Sequence, residues 1–289
     1  MHASRCLLLL SLSAVAPACG RTPTLPEDFA PGRPPLVLER GESPRQILSW
    51  RPQGGPDRAT LDVTYCPQSS LGSPVCPVEK YDYTTLARSS DRGIEVTAHV
   101  EEVRDYGREP GDEIVPDALA GRRDLTFGLE PGGRLHPPSD LPTHELWPPI
   151  ALTVVEFPRT PVGVGARWQV DREILWYGES VPFRITYFLR FVEGDEVRVF
   201  ADLEAFPRGG RSSTRALCDG CTFEDGYGAA RADLELLLTA SPLLTWVRVR
   251  VETMQGATHP DGRHLTAQRF WWFETGRPEW SIENQMRRQ

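Results

Sequence analysis

The 289-residue chain carries a net charge of −8 with a pI near 5.4, and 39% of its residues are hydrophobic. That acidity argues against phosphate-driven binding, so nucleic acid is not an expected partner, while the apolar fraction suffices for a real core. Lys80 is the only lysine and Asn284 the only asparagine, an arginine skew that codon bias explains as well as any recognition role.

Residues 7–20 read LLLLSLSAVAPACG. His2 and Arg5 make a short, partly basic start, an apolar run extends from Cys6 to about Ala16, and small residues Ala16-Pro17-Ala18 end it. The run falls short of the roughly 20 apolar residues that cross a bilayer core, so residues 1–18 read as a cleaved export signal. Cys19 follows at once. The stretch resembles the lipobox of bacterial lipoproteins, although Ala16 stands where leucine is usual and Pro17 is uncommon. The resemblance implies a diacylglyceryl group on Cys19 and a membrane partner through that lipid. Gly20 after the cysteine resembles lipoproteins sorted to the outer membrane. The competing reading is plain cleavage after Ala18, leaving a soluble periplasmic or secreted protein.

Residues 19–46 read as the lipidated cysteine and a Pro-rich tether, with Pro23, Pro26, Pro31, Pro34, Pro35 and Pro44 among polar residues. Such a segment has little apolar surface to bury and is expected to be extended and mobile. As polyproline II at ~3.1 Å per residue, residues 20–44 would reach roughly 75 Å.

Residues 47–281 read as one antiparallel β domain, followed by a polar tail over 282–289. The dominant signal has period two. Leu61, Val63 and Tyr65 alternate with polar residues, as do Ile94, Val96, Ala98 and Val100, and Leu125, Phe127 and Leu129 run into the turn Pro131-Gly132-Gly133. Val181, Phe183, Ile185, Tyr187, Leu189 and Phe191 share one face of a long strand. After Glu193-Gly194-Asp195, Val197, Val199, Ala201, Leu203 and Ala205 share one face of the return strand, which predicts a hairpin. Ala230 to Leu236 and Val247 to Val251 alternate in the same way, and TAQRFWWFE, 266–274, reads as a final aromatic strand. Ile150 to Phe157, after Trp147-Pro148-Pro149, fits either a short helix or another strand. The expected fold is all-β and antiparallel: a single curved sheet, sandwich or open barrel with at most one short helix.

Six cysteines less Cys6 and Cys19 leave four, and spacing favours pairing Cys66 with Cys76 and Cys218 with Cys221. The first pair brackets a loop rich in Pro, Gly and Ser. The second, Cys-Asp-Gly-Cys, has the form of a β-turn, which brings residues three apart within disulfide range. A redox Cys-x-x-Cys normally opens a helix, and none is evident after Cys221; a zinc site lacks a second knuckle.

Catalytic patterns are incomplete. Gly178-Glu179-Ser180-Val181-Pro182 has proline where a nucleophile elbow needs its second glycine. His144-Glu145 begins like a zinc-protease motif, but Pro148 takes the second histidine's place. His136 with His144, or His259 with His264, are candidate metal ligands whose simpler reading is solvated loop histidines. No catalytic, metal or cofactor site is therefore assigned, and a hydrolase without a recognisable motif is the enzymatic alternative.

FPRTPVGVGARW, 157–168, followed by Tyr187 and Leu189 in a strand, resembles a Phe-Pro-x-x-Pro-Val-x-Val-Gly-x-x-Trp signature of uncharacterised Gram-negative cell-envelope lipoproteins. The resemblance covers roughly Leu125 to Phe206 and implies an envelope setting without an activity. The candidate ligand-binding residues are Phe270, Trp271, Trp272 and Phe273. Phe270 and Trp272 fall on one strand face and Trp271 and Phe273 on the other, so both faces need a cover. An apolar ligand or lipid would provide one; a second packed layer, or an envelope protein meeting a surface patch, would provide another.

Overall fold

A computed structural model describes residues 23–69, 78–91, 93–106, 124–136, 147–176, 179–211 and 220–276. The chain forms β1 (Leu36–Glu39), β2 (Pro56–Ser69), β3 (Val78–Ser90), β4 (Gly93–Tyr106), β5 (Asp124–Leu129) and β6 (Leu135–His136). Helix α1 (Trp147–Thr153) follows, then β7 (Arg167–Trp176), β8 (Glu179–Glu193), β9 (Glu196–Ala205), β10 (Gly210–Arg211) and β11 (Thr222–Phe223). The described chain ends with β12 (Tyr227–Leu237), a 3₁₀ turn (Pro242–Leu244), β13 (Trp246–Thr258) and β14 (His264–Gly276).

All the strands belong to one antiparallel sheet in the order β1-β7-β8-β9-β12-β13-β14-β2-β3-β4-β5-β6, with β10 and β11 attached beside β13. The sheet is curved and does not close, which places it with the single-sheet alternative among the all-β readings. Two meanders, β2 to β6 and β7 to β14, are joined where β14 pairs with β2 over Phe273↔Val63 and its neighbours. Period-two alternation makes each strand: in β9, Val197, Val199, Ala201, Leu203 and Ala205 are buried while the residues between face outward. Ile94, Val96, Ala98 and Val100 do the same in β4.

The expected face of β8 is corrected at its end. Val181 to Leu189 alternate into the core, but the register with β9 shifts between Leu189 and Phe191, so Phe191 lies opposite Arg198 and Val192 opposite Val197. The bulge at Arg190 therefore turns Phe191 outward, under the Arg198 guanidinium at 5.8 Å, and sends Val192 inward against the core.

The Pro-rich segment is corrected as well. It does not run free to residue 46: β1 pairs with β7, and the strap after it is tied down by Glu42 N to Val164 O at 2.8 Å and a Gln46↔Val162 bridge. The prolines flank β1 without entering it, and β1 lies at one edge of the sheet, with β7 as its neighbour. The glycines of the signature permit this crossing. A Cβ on Gly163 would stand 1.9 Å from Glu42 O, and Gly165 has φ +82°.

The concave face is filled from within. All seven residues of α1 are buried, as are Val154, Val155 and Phe157 after it. The helical part of the stretch 150–157 begins earlier than expected, at Trp147, and ends at Thr153, with Pro148 and Pro149 in the first turn, where a missing N–H costs nothing. A helix apolar all round must be surrounded, and this one is. Trp147 meets Phe127 edge-on at 5.7 Å, and Trp50, Phe157, Trp168 and Tyr187 form a continuous aromatic row with centroid separations of 5.4–6.2 Å. Burying Ile150, Leu152, Val154, Val155 and Phe157 contributes on the order of 10 kcal/mol before ordering entropy is counted. The 3₁₀ turn makes a second plug: Leu243 and Leu244 are buried, and Tyr83 donates its hydroxyl proton to Leu243 O at 3.1 Å.

Candidate binding face

The expected ligand strand is β14, and its register assigns the two aromatic pairs to opposite faces. Phe273 lies opposite Val249 and Trp271 opposite Val251, and both valines are buried on the core side. Trp272 lies opposite Arg250 and Phe270 opposite Glu252, on the outer side. On β13 that outer side continues through exposed Arg248 and Met254. Trp272 and Phe270 lie opposite Thr64 and Cys66 of β2 in turn. The outer face thus places an aromatic pair in a frame of charged and polar positions. Arg248 closes one end with two hydrogen bonds to Glu274 Oε2, at 2.9 and 3.0 Å, and Gln268 donates to Glu252. The side chains of Phe270 to Phe273 themselves lie outside the described set.

Cys19, Cys76 and Cys218 lie outside the described residues, as does the side chain of Cys66, whose backbone sits in β2 beside Phe270. Cys221 is fully buried just before β11, in a small satellite core with Phe223 and Ala257. Gly220 before it has φ +76°, the left-handed conformation that the turn reading of Cys-Asp-Gly-Cys needs.

Two charged clusters escaped the motif search. On β7 the inward alternation Trp168-x-Val170-x-Arg172-x-Ile174 includes an arginine, and Arg172 is buried. Its guanidinium donates to Ala151 O and to Val154 O, the latter at 2.9 Å, at the C-terminal end of α1. A cation at that end satisfies carbonyls the helix leaves open. Glu156, equally buried, lies 3.9 Å from Arg172 and accepts from Arg134 Nε at 3.2 Å. Burial raises the Tyr187 phenol above its ordinary range, and the nearby Arg172 charge pulls the other way. Arg172, Glu156 and Arg134 lock the plug in place, bonded to backbone and to each other, while the Tyr187 hydroxyl is buried with no hydrogen-bond partner among the described residues. A charged residue at an inward position of a period-two strand is the signal that could have found Arg172.

The second cluster lies on the outer face. Asp171 accepts from Arg184 Nε at 2.9 Å and Nη2 at 3.0 Å, and from Ala30 N at 2.9 Å. Arg184 also donates to Asp28 at 3.0 Å. The hydrogen bond to Asp171 holds Arg184 above its ordinary pKa despite desolvation. This latch fastens residues 28–30 to the sheet. Nothing in the local sequence could have paired Asp28 with Arg184 across 156 positions.

Among the described residues the histidines do not converge, and His144 lies outside them. His99 meets Asp124 at 2.6 Å, His136 meets Glu130 at 3.6 Å and His259 meets Asp261 at 2.8 Å, each at a different place on the sheet. His259 and His264 flank the β13–β14 turn, where His264 contacts Thr258 instead of sharing a ligand position with His259. Among the described residues no group of three or more His, Cys, Asp or Glu could hold a metal ion, and no helix is long and apolar enough to cross a membrane. No protein-family model, curated protein or solved structure matches the chain.

Proposed function

We propose that this chain is an exported lipoprotein, attached to the outer membrane through Cys19, whose β domain is a non-catalytic binding module acting through the outer face of β14. The single observation that carries the binding reading is the register that sets Phe270 opposite Glu252 and Trp272 opposite Arg250. Two aromatic residues on a face framed by charges have the composition of an interface centre with a polar rim. The packing of α1 and the 3₁₀ turn against the concave side supports a partner surface of an envelope protein over an enclosed ligand, because small-molecule sites bury most of their ligand. The export address in residues 1–19 and the Phe157–Trp168 signature support the envelope setting.

An apolar ligand or lipid lying along Phe270 and Trp272 is the second reading, favoured by Met254, 51% exposed on the same face of β13. One experiment separates the two. Cross-linking at β14 in intact envelopes, compared between wild type and Trp272→Ala, is expected to capture a protein that the variant loses while its melting temperature stays near wild type. Saturable binding of a hydrophobic dye, lost in Trp272→Ala, with no protein captured would favour the ligand. If Trp272→Ala or Phe270→Ala simply unfolds the domain, these aromatics are core and both readings of this face fail.

A further inference from the structure

Six large hydrophobic side chains are conspicuously exposed among the described residues, and four of them gather at one corner of the sheet. Leu36 and Leu38 on β1 are 56% and 44% exposed; Ile47 on the strap is 63% exposed; Val164, whose carbonyl binds that strap, is 40% exposed. Leu36 lies opposite Gln169, on the outer face with Asp171; the register slips between Val37 and Glu39, and Leu38 in that bulge lines the same hollow as Leu36 and Asp171. Beside them a hollow of about 580 Å³ is lined by the two leucines, Pro34, Pro35, Arg33 and Arg40. Arg33 and Arg40 are exposed and enter no ion pair with a described residue, whereas Asp28 and Asp171 are committed to Arg184 and Glu39 to Arg167. Scattered exposed leucines are ordinary, but a cluster flanked by uncommitted arginines at an open sheet edge is a contact surface.

The position of this corner in the chain identifies what it meets. The latch at Asp28 fixes the segment to the sheet, and nine peptide steps separate Asp28 from Cys19. Nine residues span at most about 32 Å, however they are arranged. A lipid on Cys19 therefore keeps the bilayer permanently within reach of β1, at an effective concentration no free partner matches.

We infer that the β1 corner rests on the membrane surface. Leu36 and Leu38 enter the boundary between headgroups and acyl chains, with Ile47 and Val164 at the margin, and Arg33 and Arg40 meet lipid phosphates. The aliphatic stem of each arginine lies along the apolar surface while its guanidinium reaches the headgroups. Exposed Glu27 and Glu42 nearby temper the attraction to anionic lipid, so apolar burial supplies most of the binding. Along the sheet β14 lies six strands from β1, about 29 Å at ordinary strand spacing, so the membrane face and the Phe270–Trp272 face are separate surfaces. This inference rests on the acylation of Cys19.

The test uses the full mature chain carrying Cys19→Ala, mixed with vesicles of phosphatidylethanolamine and phosphatidylglycerol, with bound fraction read by sedimentation. Binding is expected without any lipid anchor, and Leu36→Ser/Leu38→Ser is expected to lower the partition coefficient at least about tenfold, since each leucine forfeits roughly half of a full burial. Leu237→Ser removes an exposed apolar group elsewhere and is expected to leave binding unchanged. All three positions are surface positions, and thermal melting checks that each variant is folded. Absence of vesicle binding by Cys19→Ala, or an equal loss in Leu237→Ser and the double variant, overturns the inference. So does a dimer in sedimentation velocity that Leu36→Ser/Leu38→Ser dissolves without any vesicle binding, which would make the corner a self-association surface. The mass of the N-terminal peptide from the native envelope is read separately. A missing diacylglyceryl group there refutes the lipoprotein reading whatever the vesicles show.

Discussion

Substituting Asp171 by alanine tests whether the N-terminal segment is part of the fold. The carboxylate is 9% exposed and its partner Arg184 is 11% exposed, so the pair is desolvated. Removing one member of such a pair leaves a buried charge, at a cost of ~3–5 kcal/mol. Arg184 keeps Asp28, but that carboxylate is 69% exposed and screened by water, so it offsets only a small part. The hydrogen bond from Ala30 N is also lost, adding about 1 kcal/mol. The expected destabilisation is therefore about 3–5 kcal/mol in urea unfolding. Limited proteolysis should show cleavage within residues 28–39 before the domain unfolds, because β1 has only β7 as a neighbour. A double cycle with Arg184→Ala should return a coupling above about 1.5 kcal/mol. If Asp171→Ala shifts stability by less than about 1 kcal/mol and the cleavage pattern is unchanged, the latch is a surface ion pair and the segment is the free tether its composition suggests.

Other outcomes follow from the packing. Leu152→Ala, at a buried position of α1, is expected to cost ~2–5 kcal/mol in denaturant unfolding, because the surrounded helix cannot collapse onto the gap. Gly133→Ala should be more damaging than a surface substitution, since its φ is +95° and a Cβ would stand 2.0 Å from Val155 O; a melting temperature close to wild type would contradict this geometry. The Asp261 carboxyl should titrate at about 2 in an NMR titration, held down first by the backbone N–H of Arg263 and then by the His259 and Arg263 side chains. Its folded pKa lies below the ordinary 3.8, so its support for the β13–β14 turn is present above that value and lost as pH falls towards about 2. Peptide mapping under non-reducing conditions is expected to find Cys66 with Cys76 and Cys218 with Cys221; cross-half pairs or bound zinc would refute that assignment. Loss of the short Cys218–Cys221 loop closure should cost under the typical ~2–4 kcal/mol.

The sheet was legible because a half-buried strand writes its two faces into the chain at period two. Leu125, Phe127 and Leu129 are each buried as that rule requires, as are Val247, Val249 and Val251. The rule fails where pairing geometry intervenes. Phe191 continues the alternation of β8 in sequence, and only the slip against β9 reveals that Val192 takes the inward place. It also misses short edge strands: β1 has four residues set among prolines, a composition shared with an unstructured linker. Of the candidate site, the opposite facing of Phe270 and Trp271 could be read from sequence, but which of them faces outward could not. That depends on which residues of β13 and β2 lie alongside.

By itself the sequence determined the class of the fold, the strand faces, the export-like start and the lack of a recognisable catalytic motif. Each of these is written in residues close together along the chain. The tertiary structure alone decided that the two meanders form one open sheet through β14 and β2, that the ambiguous stretch after Trp147 is a helix buried inside the curve, and that Asp28 and Asp171 share Arg184. Those features depend on partners 13 to 216 residues apart, with Arg184 and Asp171 at one extreme and Gly276↔Thr60 at the other. Local propensity cannot choose among the many pairings that would bury the same apolar faces. The choice falls to the arrangement in which the concave side is filled, the buried charges are paired and the helix-end carbonyls find Arg172.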